Sequence, residues 1–405
     1  MMAGQPQSPA EAVVCVGDPG INGLATVRSL GRRAVRVHVV ALQTSRQIAS
    51  LSRYCSGETR VSDLGALHDT LCAWPANPAR RALLFIDNDN MMKALAPHAA
   101  ELQRRFQLVE PLGDALRLTD KSWQVRVARD CGLAVPRSWF PRAWEEIQSL
   151  KTRKRLIAKP LERADFKALI AANGGELAAA LRRRIASPAD VVVQEYVEGD
   201  DSHIYVALCY RARSANRCFV LSARKVRQTS PDAGIMAVGR VVDAPEVRCL
   251  TLRLVEALDY RGVIDVEFKR SPRDGKYYFI EWNARPPYFH SIGWKAAFDG
   301  AYFAYCDHVA PENLDSVRLR HDSGHYWINV HEDLRRLVAS PRLALRPGTW
   351  RPYLQAKEWA VFALDDPKPW LRSMQQLTAW LWQLPVQAAL KRIRRVNAAL
   401  GATGL

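Results

Sequence analysis

No stretch of the 405 residues approaches the roughly 20 consecutive apolar positions of a membrane-spanning helix, so a helical integral membrane protein is not expected. The eight cysteines (Cys15, Cys55, Cys72, Cys131, Cys209, Cys218, Cys249, Cys306) are scattered, and no two form a CxxC pair. That argues against a disulfide framework or a cysteine zinc site, and for free thiols in a reducing cytoplasm. The opening MMAGQPQSPAEA has neither a basic n-region nor an apolar core, so no secretory signal is read there. Zinc-finger spacing and RNP-like aromatic motifs are missing, which sets nucleic acid aside as a partner. Internal repeats and low-complexity tracts are missing too. Acidic residues are the scarcer charge: 41 Asp and Glu stand against 58 Lys and Arg, a net charge of +17. A balance this basic favours anionic partners without choosing among them.

What is present is ordinary for a soluble globular chain, with 48% hydrophobic and 24% charged residues and length enough for two or three domains. Residues 12–16, 35–40 and 82–86 are β-branched or apolar runs, with the helical patterns LATVRSLGRR and LGALHDTLCAWP between them. Alternating strands and helices predict a parallel α/β unit, ending near residue 115. A helix is expected over 118–131, capped by Thr119 or Asp120 and stopped at Gly132. LIAKP (156–160) and VVVQEYV (191–197) read as strands bracketing the helix GELAAALRRRI. The pattern then turns antiparallel. IYVALCYRA and RCFVLSARKV are joined by RSAN, and VIDVEFKRS and GKYYFIEWN by a loop containing Asp274-Gly275, a strong hairpin signal. Beyond about residue 310 the pattern weakens until a helical stretch from Trp370 to Ala399.

VVCVGDPGINGLATVRSLG (13–31) begins like a dinucleotide-binding fold. Its spacing is Gly17-x-x-Gly20-x-x-Gly23, and the next acidic residue after the turn is Glu58. An NAD fingerprint wants G-x-G-x-x-G and an acid about 20 residues on. The glycines therefore shape a strand-to-helix turn whose N–H groups suit a substrate carboxylate or phosphate.

The chemistry concentrates in the second hairpin. Asp265 and Glu267 are two apart on one strand and share a face, and the turn sets Glu267 opposite Glu281. Opposed carboxylates repel unless something positive lies between them. With Asn283 they make three oxygen donors, which suits Mg²⁺; a solvated face paired with Lys and Arg is the other reading. Lys159 sits in an apolar strand end, where an unpaired charge is costly and a bound phosphate relieves it. QEYVEGDD (194–201) leaves a strand and turns at Gly199, exposing backbone groups that match an adenine edge, with acids nearby for ribose hydroxyls.

Taken in order, the stretches DK, AKP, QEYVEGDD, RKVRQ, DVEFK and IEWNARP resemble the ATP-grasp superfamily over residues 12–300, most closely the carboxylate–amine ligases of carbamoyl-phosphate-synthase-like and D-aspartate-ligase-like type. The resemblance implies a Rossmann-like substrate-side domain (1–115), two ATP-grasp subdomains (116–190 and 191–310, the latter with the Mg-ATP site) and a C-terminal extension (311–405) with a basic amphipathic helix. It implies ATP and Mg²⁺ (or Mn²⁺) as cofactors. Lys121 and Lys159 then hold phosphates, Gln194, Glu195 and Val197 form the adenine hinge, and Asp201 meets the ribose. Glu267, Glu281 and Asn283 are the implied metal ligands. Lys225 and Arg285 are the implied catalytic cations near the transferred phosphoryl group. The implied reaction joins a small-molecule carboxylate to an amine through an acyl phosphate. The alternatives are carboxyphosphate-dependent carboxylation and ATP binding without turnover. The sequence departs from the family in three places: LERADFKALIAANGG replaces a Gly/Ser-rich loop, Ala284 replaces a proline, and Trp282 replaces a small aliphatic residue.

His321, His325 and His331 lack accompanying ligands and read as loop or core residues; His290, just after NARPPYF, could face substrate. The stretch from 370 to 400 has no acidic residue and ends basic. It fits either a helix at an anionic membrane surface or an amphipathic helix docked on the body. Oligomeric state stays open, a dimer included.

Overall fold

The computed structural model describes residues 11–17, 20–43, 47–75, 80–161, 166–213, 217–230 and 233–383. The N-terminal unit is a parallel sheet of β1 (Ala12–Val16), β2 (Val37–Leu42), β3 (Cys55–Val61), β4 (Ala82–Ile86) and β5 (Phe106–Leu108), in the order β3-β2-β1-β4-β5. The strand at 35–40 begins two residues later than its sequence pattern and runs to Leu42. β1 and β4 are wholly buried, as expected for a sheet covered on both faces. Strand order reverses between β1 and β4, so a crevice opens beyond their carboxyl ends.

Helix Ile21–Gly31 follows β1, and Ile21 to Leu30 are all buried. It lies between the parallel sheet and helix Gly300–Val309, and it shares one core with the large seven-stranded sheet. Burying Leu24, Val27 and Leu30 stabilises the fold by about 1.5–3 kcal/mol each. Arg28, on the same helix, has every arm satisfied: Nε donates to Asp366 Oδ2 (2.9 Å), Nη2 to the Asp366 carbonyl (2.9 Å) and Nη1 to the Val361 carbonyl (2.8 Å).

The second sheet is antiparallel: β6 (Ser138–Trp139), β7 (Leu156–Pro160), β8 (Leu169–Ala171) and β9 (Val191–Glu195), ordered β6-β9-β7-β8. Helices Trp144–Gln148 and Gly174–Leu181 cover it around Ile147, Leu177 and Leu181.

The third sheet has seven strands. β10 (Ile204–Arg211), β11 (Cys218–Gln228) and β12 (Met236–Val241) are joined by β13 (Gly262–Arg270), β14 (Tyr277–Asn283), β15 (Tyr326–Ile328) and β16 (Ala356–Trp359). Their order is β14-β13-β10-β11-β12-β15-β16. Both hairpins read from the sequence form. β15 and β16 carry too short a pattern to be read, and they extend the same sheet. All eight cysteines are free.

Among the described residues no helix is long and apolar enough to cross a membrane. Helix 368–383 docks on the body through Leu377, 4% exposed, and Ser373, while Trp382 is 83% exposed. The remainder of the basic stretch, 384–405, lies outside the described residues.

Candidate active site

The hairpin of β13 and β14 builds the centre of the site. Its turn has Gly275 at φ 71°, and the Asp274 carboxylate accepts from Lys276 N. Glu267 pairs with Glu281 and Asp265 with Asn283. A bulge follows, because Phe268 pairs with Phe279 and Ile280 is the extra residue. Asp265, Glu267, Glu281 and Asn283 therefore line one cleft of about 650 Å³, a size that suits a nucleotide-scale ligand.

Three lysines face these carboxylates. Lys225, 3% exposed, has Nζ 2.9 Å from both Glu267 oxygens, 3.2 Å from Gln228 Oε1 and 3.4 Å from the Gly234 carbonyl. Lys159 enters from β7. Burial lowers its pKa, with Glu281 opposing and Lys121 reinforcing the shift. Lys121 opens helix Lys121–Asp130 and donates to the Pro160 carbonyl. Asp120 caps that helix, accepting from Ser122 N and Trp123 N, and Gly132 follows it at φ 74°. Burial raises the Glu281 carboxyl, but Lys159, Lys121 and Lys225 outweigh it and hold the group below the usual range.

The helix is fixed to β14 by an amide that imitates a strand. Gln124 Nε2 donates to the Trp282 carbonyl (3.0 Å), and Trp282 N donates to Gln124 Oε1 (3.3 Å). The Trp282 indole donates to the Leu118 carbonyl (2.9 Å). The large residue beside Glu281 thus faces the core, and it sets Lys121 relative to the carboxylates.

Arg285, just past β14, crosses to the N-terminal unit. Its guanidinium meets Asp89 through Nε–Oδ1 (2.6 Å) and Nη2–Oδ2 (3.1 Å). Burial acts to lower its pKa, and Asp89 overcomes that and holds it above the ordinary value. Asp89 opens the helix that follows β4, at the strand-order switch. Next to it Gly17 N donates to Asp87 Oδ1 (2.8 Å), and Asn22 Nδ2 donates to the Asp87 carbonyl (2.6 Å). Burial pushes the Asp87 carboxyl up to about 7. Gly20 caps helix Ile21–Gly31 at φ 72°.

At the other end the cleft is bounded by Gln194, Glu195, Tyr196 and Val197. The side chains of the first two turn away: Gln194 Nε2 donates to Ser138 Oγ (2.9 Å), and Glu195 accepts from Thr152 Oγ1 (2.9 Å) and Lys154 Nζ (2.9 Å). What they offer the cleft is backbone. Glu195 N donates to the Arg137 carbonyl on the β6 side (2.9 Å). Glu195 ends β9, so strand alternation aims its carbonyl to that same side. Gly199 follows at φ 116° and turns the chain.

Asp201 stands apart from the other residues named from the sequence. It does not line the cleft. Its two oxygens accept from Gln228 N and Gln228 Nε2, each at 2.9 Å. Gln228 in turn accepts from Lys225, so Asp201 is linked to Lys225 through Gln228. The other ten residues named from the sequence (Lys121, Lys159, Gln194, Glu195, Val197, Lys225, Glu267, Glu281, Asn283, Arg285) do meet at one cleft. His290 does not: it is 1% exposed with Nε2 3.0 Å from the Asn22 carbonyl. His325 and His331 go to the Ile292 carbonyl and Ser373 Oγ, as loop or core residues would.

Several cleft residues escaped the sequence reading. Lys269 continues the two-residue alternation of Asp265 and Glu267 and donates to the Tyr196 hydroxyl (3.0 Å). Gln228 lies three residues past Lys225 in a motif already noticed. Lys167 and Phe166 line the cleft from the β7–β8 connection. Asp89, outside the cleft lining, lies in the stretch 87–90 where the sequence placed substrate specificity, but its pairing with Arg285, 196 residues away, left no local signal.

The oxygen donors Glu267, Glu281 and Asn283 fit a hard divalent cation. Asp265 supports the fit. It is fully buried, with Oδ2 accepting from Asn283 Nδ2 (3.2 Å) and Oδ1 lacking any partner among the described residues. Burial, then Glu267, holds its carboxyl well above the usual range.

A parallel N-terminal sheet followed by an antiparallel and a largely antiparallel sheet that close on a cleft of lysines and carboxylates is the ATP-grasp fold. Solved structures agree. The ADP complex of PurK, an N5-carboxyaminoimidazole ribonucleotide synthetase, superposes with a TM-score of 0.59 at 12% identity, covering 84% of this chain and 87% of that one. A biotin carboxylase from Campylobacter jejuni in complex with β,γ-ATP gives 0.58 at 12% identity over 78% and 74%. An L-amino acid ligase from Bacillus licheniformis gives 0.56 at 13% identity over 76% and 78%. No protein-family model and no curated protein sequence matches the chain.

Proposed function

We propose that this protein is an ATP-dependent ligase that activates a small-molecule carboxylate and joins it to an amine. The observation that carries the reading is the opposition of Glu267 and Glu281 in one register, with Lys121, Lys159 and Lys225 facing them and Arg285 beyond. In this reading the backbone of Glu195 and Val197 takes the adenine, and Lys121 and Lys159 take the phosphates. Glu267, Glu281 and Asn283 hold Mg²⁺, or Mn²⁺ in its stead, which supplies charge neutralisation at the phosphoryl group. An oxygen of the substrate carboxylate attacks the γ-phosphorus and ADP leaves. The amine nitrogen then attacks the acyl carbon, phosphate leaves and one proton is released. Lys225 and Arg285 offset charge on the transferring group and the acyl phosphate. Positioning and charge neutralisation do most of such catalysis, and no protein nucleophile is needed. The substrate carboxylate enters from the crevice beyond β1 and β4, where Asp89 orients Arg285.

The test is a screen of carboxylates with amines for coupled release of ADP and phosphate, with bicarbonate as a separate arm. The reading expects turnover that needs both an acid and an amine. Turnover with bicarbonate as the only acid overturns it in favour of carboxylation, and nucleotide binding without turnover across the panel overturns it in favour of a binding protein.

A further inference from the structure

The outer face of the N-terminal unit carries a second cluster of ligating side chains, assembled from three short elements. His68 and Cys72 stand at i and i+4 on helix Leu64–Cys72 and share a face. His98 ends the 3₁₀ turn Ala96–His98, and Glu101 follows three residues later in helix Ala99–Arg105. One ligand atom each from His68, His98 and Glu101 lie within 4.8 Å of one another. His68 Nε2 is 3.4 Å from Glu101 Oε2 and 3.2 Å from Cys72 Sγ. The two imidazoles lie 3.9 Å apart, centroid to centroid. The other nitrogen of His68, Nδ1, is 3.1 Å from Asp69 Oδ1.

We propose that His68, His98 and Glu101, whose ligand atoms converge, form a binding site for a zinc-class divalent transition metal, separate from the oxygen-lined cleft, and that Cys72, whose Sγ lies beside His68, turns in as the fourth ligand when the ion binds. Two imidazoles, one carboxylate and one thiol are the donors zinc takes in four-coordinate sites, and four is the number it needs. A soft sulfur and two nitrogens disfavour Mg²⁺, so the two sites select different ions. Asp69 supplies what a metal-bound histidine normally has, a carboxylate on the far ring nitrogen that fixes the tautomer and leaves Nε2 free to ligate. The cysteine ligates as thiolate, its proton passing to solvent, and the ion's two charges match those of thiolate and carboxylate. The bound ion ties helix Leu64–Cys72 to helix Ala99–Arg105, two elements otherwise joined by apolar contacts behind the parallel sheet. CxxC spacing could not reveal this site, because its residues are spaced H-x₃-C and H-x₂-E and come together only across the fold.

The experiment uses tag-free full-length protein, stripped with chelator and titrated with Zn²⁺ and with Co²⁺. One Zn²⁺ per chain is expected, and Co²⁺ should give intense visible bands of a four-coordinate site with a near-ultraviolet thiolate charge-transfer band. Cys72→Ser should lose that band, and His98→Ala should weaken Zn²⁺ binding by at least the roughly 10–100-fold that second-shell changes already cause. A wild-type chain that binds no stoichiometric Zn²⁺, or a charge-transfer band that survives Cys72→Ser, overturns the proposal. A measurement on the wild type alone guards against a variant that fails to fold. Zn²⁺ should slow alkylation of Cys72 and leave the exposed Cys249 unaffected; equal rates at Cys72 with and without Zn²⁺ also overturn the proposal.

Discussion

Individual residues in the cleft differ in the work they do, and substitution separates them. Glu281→Gln keeps the size of a proposed metal ligand and removes its charge, while Lys159→Ala removes a proposed phosphate contact. Each should lower kcat by about 10²–10³-fold once substrates are in hand, read as ADP release, because such groups act where charge develops. Asp201→Asn tests a different role. If Asp201 acts through Gln228 on Lys225, kcat falls about tenfold with the KM for ATP unchanged; a raised KM for ATP with kcat intact would restore the ribose contact. Glu110 affects stability. It is 1% exposed, and burial, opposed in part by Arg213, pushes its carboxyl up to about 8. Between the ordinary carboxyl range and pH 8 the folded chain therefore binds more protons than the unfolded one, so stability falls as pH rises through that window. Glu110→Gln should remove about 2 kcal/mol of that loss between pH 6 and 8.5, seen as a flatter dependence of denaturation midpoint on pH.

At the level of elements, hairpin and turn chemistry was plain in the sequence. Asp274-Gly275 forced a tight reversal, and period-two alternation did the rest, so the opposition of Glu267 and Glu281 followed from local rules. The helix bearing Lys121 was equally legible, from its Asp120 cap to Gly132. β15 and β16 were not, because three- and four-residue strands carry too little periodicity and exist only by pairing with β12 and each other. The first turn after β1 lies between these cases. Gly20 adopts φ 72°, and a Cβ there would lie 2.7 Å from Gln47 Cβ and 2.8 Å from Val16 Cγ1. Gly20→Ala should destabilise by about 1–3 kcal/mol in chemical denaturation. It should raise the KM for the acid substrate more than that for ATP; the opposite order would point back to a nucleotide at this turn.

Across the whole molecule, segments far apart in the chain are joined by buried polar contacts. Asp366, 1% exposed, receives Arg28, Ser52 Oγ (2.6 Å) and Arg53 N (2.9 Å), tying the C-terminal segment to the N-terminal sheet. Removing one partner of a buried pair leaves the other charge uncompensated, so Arg28→Met should cost about 3–5 kcal/mol. Limited proteolysis should then cut first between residues 356 and 383; an unchanged cleavage pattern would show that this tie is dispensable. The sequence by itself determined the alternation of elements, the two hairpins and the facing of Glu267 and Glu281, because each depends on spacing within a strand or turn; the other residues of the cleft were named by resemblance of their motifs. Only the tertiary structure decided which way Asp201 points, that Asp89 holds Arg285, and that His68, Cys72, His98 and Glu101 meet. Those outcomes depend on how separately folded pieces pack, and burial and charge pairing across distant segments leave no periodic trace in the chain.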